Sequence, residues 1–329
     1  MAVDWTREPA AFADPEWSAL ADADPEATLF HTPRFLKPYW EELSAGESLE
    51  VATARPAAAA DAAAVAAFAV TGDRLTWLGG FDVTDYMGPV GSPEHRDQAA
   101  ADLMGAVAAR DDWRHADLAG LPEDGRWLPA LVEGARRARL PVRVELDGVA
   151  PAVRLPSSFD EYLAGLPAKL RHEIRRKDRR LRAAHPDARV VDSRPETVAE
   201  DLDRFVALHR ASAGAKGRFM VPGMELFFRR LADELTEDGT LRLAFLEAGG
   251  DRIAAAMGFR FRDRFLLYNS AYDHGLSRLA PGMVLVAELI RDAIEEDRSV
   301  LDMLKGDLGY KYRFGARPRR VCRLLIDRD

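Results

Sequence analysis

Between Leu241 and Tyr272 the apolar residues fall into three short runs, LRLAFLEA, DRIAAAMGFRF and RFLLYNSAY, broken at Gly249-Gly250 and again at Arg262-Asp263. Runs of this length bounded by turn residues predict the strands of an antiparallel meander. The period then changes. From Pro281 the apolar positions Val286, Leu289, Ile290, Ala293 and Ile294 recur at spacings of three and four, which predicts a helix with a buried face starting at Pro281-Gly282. Ser299 to Leu304 (SVLDML) predicts a short buried strand, and Arg319 to Ile326 a last one. Upstream, Val198 to Ser212 carries Leu202, Phe205, Val206 and His209 on one stripe, and Met224 to Leu235 carries Phe227, Phe228, Leu231 and Leu235 on another. The order helix, helix, three strands, helix, strand, polar turn, strand specifies an α+β layer of helices on a mixed sheet.

The N-terminal half repeats this layout faintly. Tyr86 is followed by a loop with Pro93, a helical stretch from Arg96 to Ala109 and a strand start at Ala116-Asp117-Leu118; Tyr272 is followed by Pro281, the helix and Leu301-Asp302-Met303. The first spacing, Tyr86 to Asp117, is 31 residues and the second, Tyr272 to Asp302, is 30. A degenerate duplication follows, with domains at 1–150 and 151–329, a division that a chain of 329 residues also favours. The first copy has no Pro-Gly helix start and is expected to shape an acceptor cleft.

Composition narrows the class. A net charge of −8 argues against coating of nucleic acid in bulk. The longest apolar stretch, Ala62 to Val70, falls short of the ~18 residues of a membrane span, and MAVDWTREPAAF has no basic start leading into an apolar block. A cytoplasmic protein without membrane insertion is expected. Cys322 stands alone, so no internal disulfide forms, and the seven His show no metal-ligand spacing, so no metal is expected. One segment departs from the acidic average: Ala168 to Ala184 holds eight Lys or Arg against Glu173 and Asp178, a local balance of +6. Leu170, Ile174 and Leu181 give it a thin apolar seam, predicting a helix on the body with its basic side outward, either as a solvated face or as a landing surface for a polyanion.

The chemistry gathers near the C-terminus. A helix starting at Pro281-Gly282 offers unpaired N–H groups and a partial positive charge to an anion such as a diphosphate. Beyond the strand at 299–304 come Lys305, Gly306, Asp307, Tyr310, Lys311, Tyr312 and Arg313, a density of ionisable and phenolic groups suited to proton transfer beside anionic charge. For such proton transfer, Asp273, Asp307 or a relayed water would take a proton, and Tyr310 or Tyr272 would return one to a leaving group. Lys305, Lys311 or Arg313 would steady the oxyanion, with Tyr310 and Lys311 as the chief candidates. His209, on the stripe with Leu202 and Phe205, reads as a hydrogen-bonded core histidine.

In YNSAYDHGLSRLAPGMVL with LDMLKGDLGYKYRFG, and in FHTPRFLKPYW, LPSSFDEYLAGLPAKLRHEIRRKDRRL and FVALHRASAGAKGRF, the chain resembles the GNAT superfamily. Within it the chain resembles the tandem-domain acetyltransferases called cellulose-biosynthesis-protein-like, relatives of the Fem aminoacyl transferases. The resemblance implies an α+β protein of two tandem GNAT-like domains, each a mixed, mostly antiparallel sheet flanked by helices. It implies acyl-CoA, acetyl-CoA among others, as donor to an amine on a sugar, cell-envelope or other small-molecule acceptor, in a monomer or homodimer. It places the carrier's diphosphate on Arg278, Leu279, Ala280, Gly282 and Met283 and its pantetheine arm along a splayed strand at Ser270, with Arg175, Tyr272, Asp307 and Arg313 toward the substrate. Aminoacyl-tRNA as donor and a non-catalytic role in polysaccharide assembly are the alternatives. The chain departs from the usual GNAT loop at Pro281 and Met283, which stand where Gly and Gly or Ala are the rule, and Pro281 has no N–H to give.

Overall fold

The computed structural model describes residues 1–56, 61–80, 82–212 and 215–328, with the backbone alone at 215 and 216. Residues 213 and 214 of the FVALHRASAGAKGRF stretch lie outside the described residues. The chain divides into two compact units, one formed by Met1–Val149 with Arg319–Asp329, the other by Ala150–Pro318.

The first unit begins with β1 (Ala2–Thr6), α1 (Pro15–Ala23), α2 (Pro33–Leu43), β2 (Ser48–Arg55), β3 (Ala64–Thr71), β4 (Arg74–Trp77) and β5 (Val90–Gly91). α3 (Arg96–Ala108), β6 (His115–Pro122), α4 (Trp127–Arg137) and the long β7 (Val142–Arg154) follow. Its core sets Phe68, Trp77, Leu103, Trp113, Leu118 and Leu131 between the sheet and α3 and α4. β4 and β6 run parallel for three pairs, Arg74 with His115, Leu75 with Ala116 and Thr76 with Asp117.

The second unit contains α5 (Phe159–Gly165), α6 (Ala168–Ala184), β8 (Arg189–Asp192), α7 (Val198–Arg210), α8 (Ala215–Phe219) and α9 (Pro222–Leu235). The meander β9 (Leu241–Ala248), β10 (Asp251–Phe261) and β11 (Arg264–Tyr272) comes next, then α10 (Pro281–Glu295) and β12 (Val300–Asp302). In sheet order these strands read β12-β11-β10-β9-β8. Along β9, Ala244 and Leu246 join the cluster beneath α10, whereas Leu243 and Phe245, which alternate with them, are buried outside it. That alternation is what a strand covered on both faces requires. α5, α6 and α10 cover one face, while α7 packs on β9, β10 and β11 and brings Phe205 against Phe228 of α9.

The meander, both upstream helices, α10 and the basic helix sit where the apolar periods place them. The domain limits need correction. The reading of 151–329 as one domain fails at its end, because β13 (Arg317–Asp327) pairs antiparallel with β6, Val321 opposite Pro122 through Asp327 opposite His115. Val321, Cys322, Leu324 and Ile326 of β13 are buried, and Cys322, Leu324 and Ile326 join the core of the first unit. The duplication shows in the pairing, since β11 and β12 also run parallel for three pairs that end on an aspartate, Leu266 with Asp302. Tyr86 does not match Tyr272 by strand position, because β4 ends at Trp77 while Tyr272 lies within β11.

Candidate functional site

The three parallel pairs between β11 and β12 end at Leu266 and Asp302, yet β11 continues to Tyr272 against β10. The sheet therefore opens along residues 267–272 of β11. Two devices in the sequence cause the opening. On the β12 side, Leu304 turns the chain with a left-handed φ of 59°, unusual for a buried branched residue. Its N–H donates to Asp302 Oδ1 at 2.8 Å and its carbonyl accepts from Lys311 Nζ at 2.7 Å. Lys311 Nζ also donates to the Lys305 carbonyl at 3.0 Å. Lys311 is buried, so its ammonium clamps the turn that carries the chain away from β11.

On the β11 side a bulge intervenes. Met257 of β10 faces Asn269 and Gly258 faces Leu267, leaving Tyr268 as the extra residue. One added residue restores Ser270 and Tyr272 to the face that Phe265 and Leu267 occupy beneath α10, and turns Tyr268 toward Phe228 and Phe259 on the other. The hydrogen-bond parity also follows. Asp273 donates to the Ile253 carbonyl at 2.8 Å, so the pairs Tyr272–Ala254 and Ser270–Ala256 are the non-bonded ones of the ladder. The N–H and C=O groups of Ser270 and Tyr272 consequently point to the open side.

Tyr310 reaches this opening and shares a side-chain hydrogen bond with Ser270. Burial pushes its hydroxyl above the ordinary tyrosine value, and the bond with Ser270 offsets this only in part, so the phenol stays protonated at neutral pH. Tyr312 donates to Asp307 Oδ1 at 2.6 Å in an exposed pair, and that bond raises the Tyr312 hydroxyl.

Ala280, left-handed at φ 54°, turns the chain from the 3-10 segment His274–Leu279 into α10. The N–H groups of Met283 and Val284 both return to the Ala280 carbonyl, at 3.0 and 3.2 Å, and Pro281 has none. Among the described residues the Gly282 N–H has no backbone partner, and at a helix start such a group is open to an acceptor beyond the helix end. A Cβ at Gly282 would stand 3.0 Å from the Tyr272 ring, so the glycine also lets Tyr272 lie against the helix start. Asp273 accepts from the Gly275 N–H at 2.8 Å and caps the 3-10 segment; its exposed carboxylate serves the loop. The exposed Arg278 guanidinium makes no ion pair among the described residues. One backbone donor, the helix dipole and Arg278 thus fit an anionic group, with fewer main-chain contacts than the usual glycine-rich loop supplies.

The basic helix α6 borders the same turn. Arg180 donates to the Arg278 carbonyl at 3.0 Å, Lys177 lies 2.6 Å from Met283 Sδ and 2.8 Å from Glu173, and Arg182 pairs with Glu288 of α10 at 2.9 Å. Arg313 reaches Glu173 at 3.5 Å. Four cations are therefore spent on packing, a division the sequence alone conceals. Lys169, Arg175 and Arg179 remain exposed, with no hydrogen bond or ion pair among the described residues. Arg175 lines a cavity of about 190 Å³ with Phe159, Ile174, Met283, Ala287 and Arg291. No residue of β11, β12 or the 304–313 turn lines that cavity, so Arg175 stands apart from Tyr310.

One residue at the opening, Asn269, escaped the sequence reading of the chemistry. Asn269 Oδ1 accepts from the Ser270 N–H at 2.9 Å and meets Nε2 of the buried His209 at 3.0 Å. His209 is the hydrogen-bonded core residue its stripe implies, but its partner lies 60 residues away at the site. The signal available was an asparagine inside an otherwise apolar strand, a position where asparagine is disfavoured. Among the described residues no cluster of His, Cys, Asp or Glu suits a metal ion, and no helix is long and apolar enough to cross a membrane.

Residues 168–312 match the family described as acetyltransferase (GNAT) domain. A search among curated proteins finds no match. Among solved structures the chain is similar to FemX, with a TM-score of 0.68 at 10% identity over 98% of this chain and 97% of that one. It is similar to the C-terminal domain of a putative lysylphosphatidylglycerol synthetase from Agrobacterium fabrum, with a TM-score of 0.61 at 12% identity over 97% and 92%. It is similar also to a tandem GNAT protein from the clavulanic acid biosynthesis pathway, with a TM-score of 0.53 at 11% identity over 99% and 98%.

Proposed function

From a chain with the tandem GNAT fold, whose residues 168–312 match the acetyltransferase (GNAT) domain family, we propose a transferase that moves an acyl group from acyl-CoA to a small-molecule amine. The observation that supports this reading is the opening of β11 from β12 at Leu266, with the main-chain groups of Ser270 and Tyr272 left facing it. An extended carrier arm pairs there as an added strand would. Its diphosphate lies at the start of α10, against Gly282 N–H and Arg278, within the 278–283 loop.

In this reading the amine nitrogen attacks the acyl carbon, the carbon–sulfur bond breaks, and the thiolate takes a proton from the Tyr310 hydroxyl. Tyr310 suits that task because burial keeps its proton in place. An alkylammonium of pKa ~10 is only about one part in a thousand neutral at pH 7, a handicap of roughly 4 kcal/mol. Asp273 and Asp307 are exposed and already bonded, to Gly275 N–H and Tyr312, so a bound water is the better first acceptor of the amine's proton. Lys311 and Lys305 shape the turn that holds Tyr310 in place. The first unit takes no carrier: β4 ends one residue past its last pair with β6, and α3 begins without Pro-Gly.

The test is calorimetry and thermal melting with CoA and acetyl-CoA. At ~100 times its dissociation constant a carrier adds about 2.7 kcal/mol of stability, a rise of roughly 5–10 °C for a domain of this size. No heat and no shift reject the reading. A second donor, aminoacyl-tRNA, is favoured by the unpaired Lys169, Arg175 and Arg179 on α6. Salt-sensitive tRNA binding that weakens when Arg175, Arg176 and Arg179 become Ala would establish it, and salt-independent or absent binding removes it.

A further inference from the structure

Asn269 Oδ1 accepts from the Ser270 N–H, the group that the ladder's parity turns toward the opening beside β12. An amide carbonyl of an extended acyl carrier laid along β11 would seek that same N–H. The side chain of Asn269 therefore occupies a hydrogen bond that binding has to exchange. Because Oδ1 already accepts from a main-chain N–H, it is the oxygen of the amide, and His209 Nε2 is the donor toward it. His209 is buried and set in place by tilted ring contacts with Phe205 and Phe219, so it fixes the rotamer of the half-buried Asn269 from the α7 side of the sheet.

We propose that Asn269 is a removable cap on the carrier-binding edge of β11, standing in for a carrier amide at Ser270, and that His209 is the positioning residue that holds it there. The proposal rests on the acyl-CoA reading and adds the step by which the edge is opened. Before binding, the cap keeps a strand edge from presenting a bare N–H to water or to another chain. On binding, the Asn269 amide swings out and the carrier carbonyl takes its place, an exchange of one hydrogen bond for another.

The experiment measures CoA affinity by calorimetry, and KM and kcat with acetyl-CoA, for the wild type, Asn269→Ala, Asn269→Asp, His209→Leu and His209→Gln. Asn269→Ala removes the competitor and is expected to bind CoA roughly 3- to 10-fold tighter, the worth of one net hydrogen bond, with KM lowered and kcat unchanged. Asn269→Asp bonds the Ser270 N–H more strongly and is expected to bind several-fold weaker. His209→Leu frees the cap and shifts affinity in the direction of Asn269→Ala by a smaller factor, and His209→Gln, which keeps a donor, restores the wild-type value. Opposite signs for Ala and Asp distinguish a cap from a merely structural residue. Asn269→Ala binding CoA no tighter than the wild type overturns the proposal, and this holds even if His209→Leu fails to fold. A wild type that binds no CoA overturns the acyl-CoA reading and the cap together, whereas a wild type that binds while Asn269→Ala is unchanged overturns the cap alone.

Discussion

Single residues at the opening divide into those that act on the carrier and those that hold the frame. Tyr310 is of the first kind. Replacing it by Phe keeps the ring and deletes the proton, so kcat for acetyl transfer should fall about 100-fold or more, with KM for acetyl-CoA little changed. A kcat within twofold of the wild type would remove Tyr310 from the chemistry. Lys311 is of the second kind, its ammonium bridging the Leu304 and Lys305 carbonyls from a buried position. Lys311→Met leaves these acceptors without that donor and should cost roughly 1–3 kcal/mol per group left unsatisfied. The check is a denaturant midpoint lowered in step with carrier affinity, since the turn at Leu304 is what parts β12 from β11. The dense polar run from Lys305 to Arg313 was legible in the sequence, but which of its members reach the opening was not. Lys311 and Tyr310 are neighbours in sequence, and only the 3-10 turn at Lys311–Phe314 sends one inward to carbonyls and the other to Ser270.

At the scale of elements, α7 is fastened to the sheet at the end remote from His209. Asp201 lies buried in its first turn, accepts from Thr197 Oγ1 at 2.8 Å and is paired with Arg252 of β10. Burial alone would raise its carboxyl, but the bonds from Arg252 and Thr197 outweigh it and hold the group below the usual aspartate range. A carboxyl lowered on folding stabilises the protein above its unfolded value of about 3.9. That contribution is lost as pH falls through the lower folded value. The melting temperature of the wild type should therefore fall more steeply between about pH 5 and 2 than that of Asp201→Asn. Parallel curves would refute the assignment. The helices themselves were readable because a period of 3.6 residues is a local property. The bulge at Tyr268 was not: nothing in FLLYNSAY counts the residues of β10 opposite, and the count decides which face Ser270 shares.

For the whole molecule, the C-terminal strand is the decisive element. β13 follows the site in sequence, yet its buried Val321, Cys322, Leu324 and Ile326 serve the first unit. Each such side chain is worth about 1.5–3 kcal/mol when buried, against a domain stability of about 5–15 kcal/mol. A chain ending at Pro318 should thus lose the fold of residues 1–149, although no residue of that segment is touched. Limited proteolysis checks this, with rapid cleavage within 1–149 expected and persistence of that segment counting against it.

By itself the sequence determined part of this protein's inventory: the meander, the helices α3, α7, α9 and α10 with the Pro-Gly start of the last, the basic helix α6, and the strands β12 and β13. Each is written in spacings of a few residues, where side-chain period and backbone sterics act locally. The tertiary structure alone decided which elements share a core and which groups meet at the opening. His209 finds Asn269 across 60 residues, and β13 finds β6 across some two hundred. Those partnerships follow from the burial of matching surfaces and the pairing of main-chain groups, energies that exist only once distant segments are brought together.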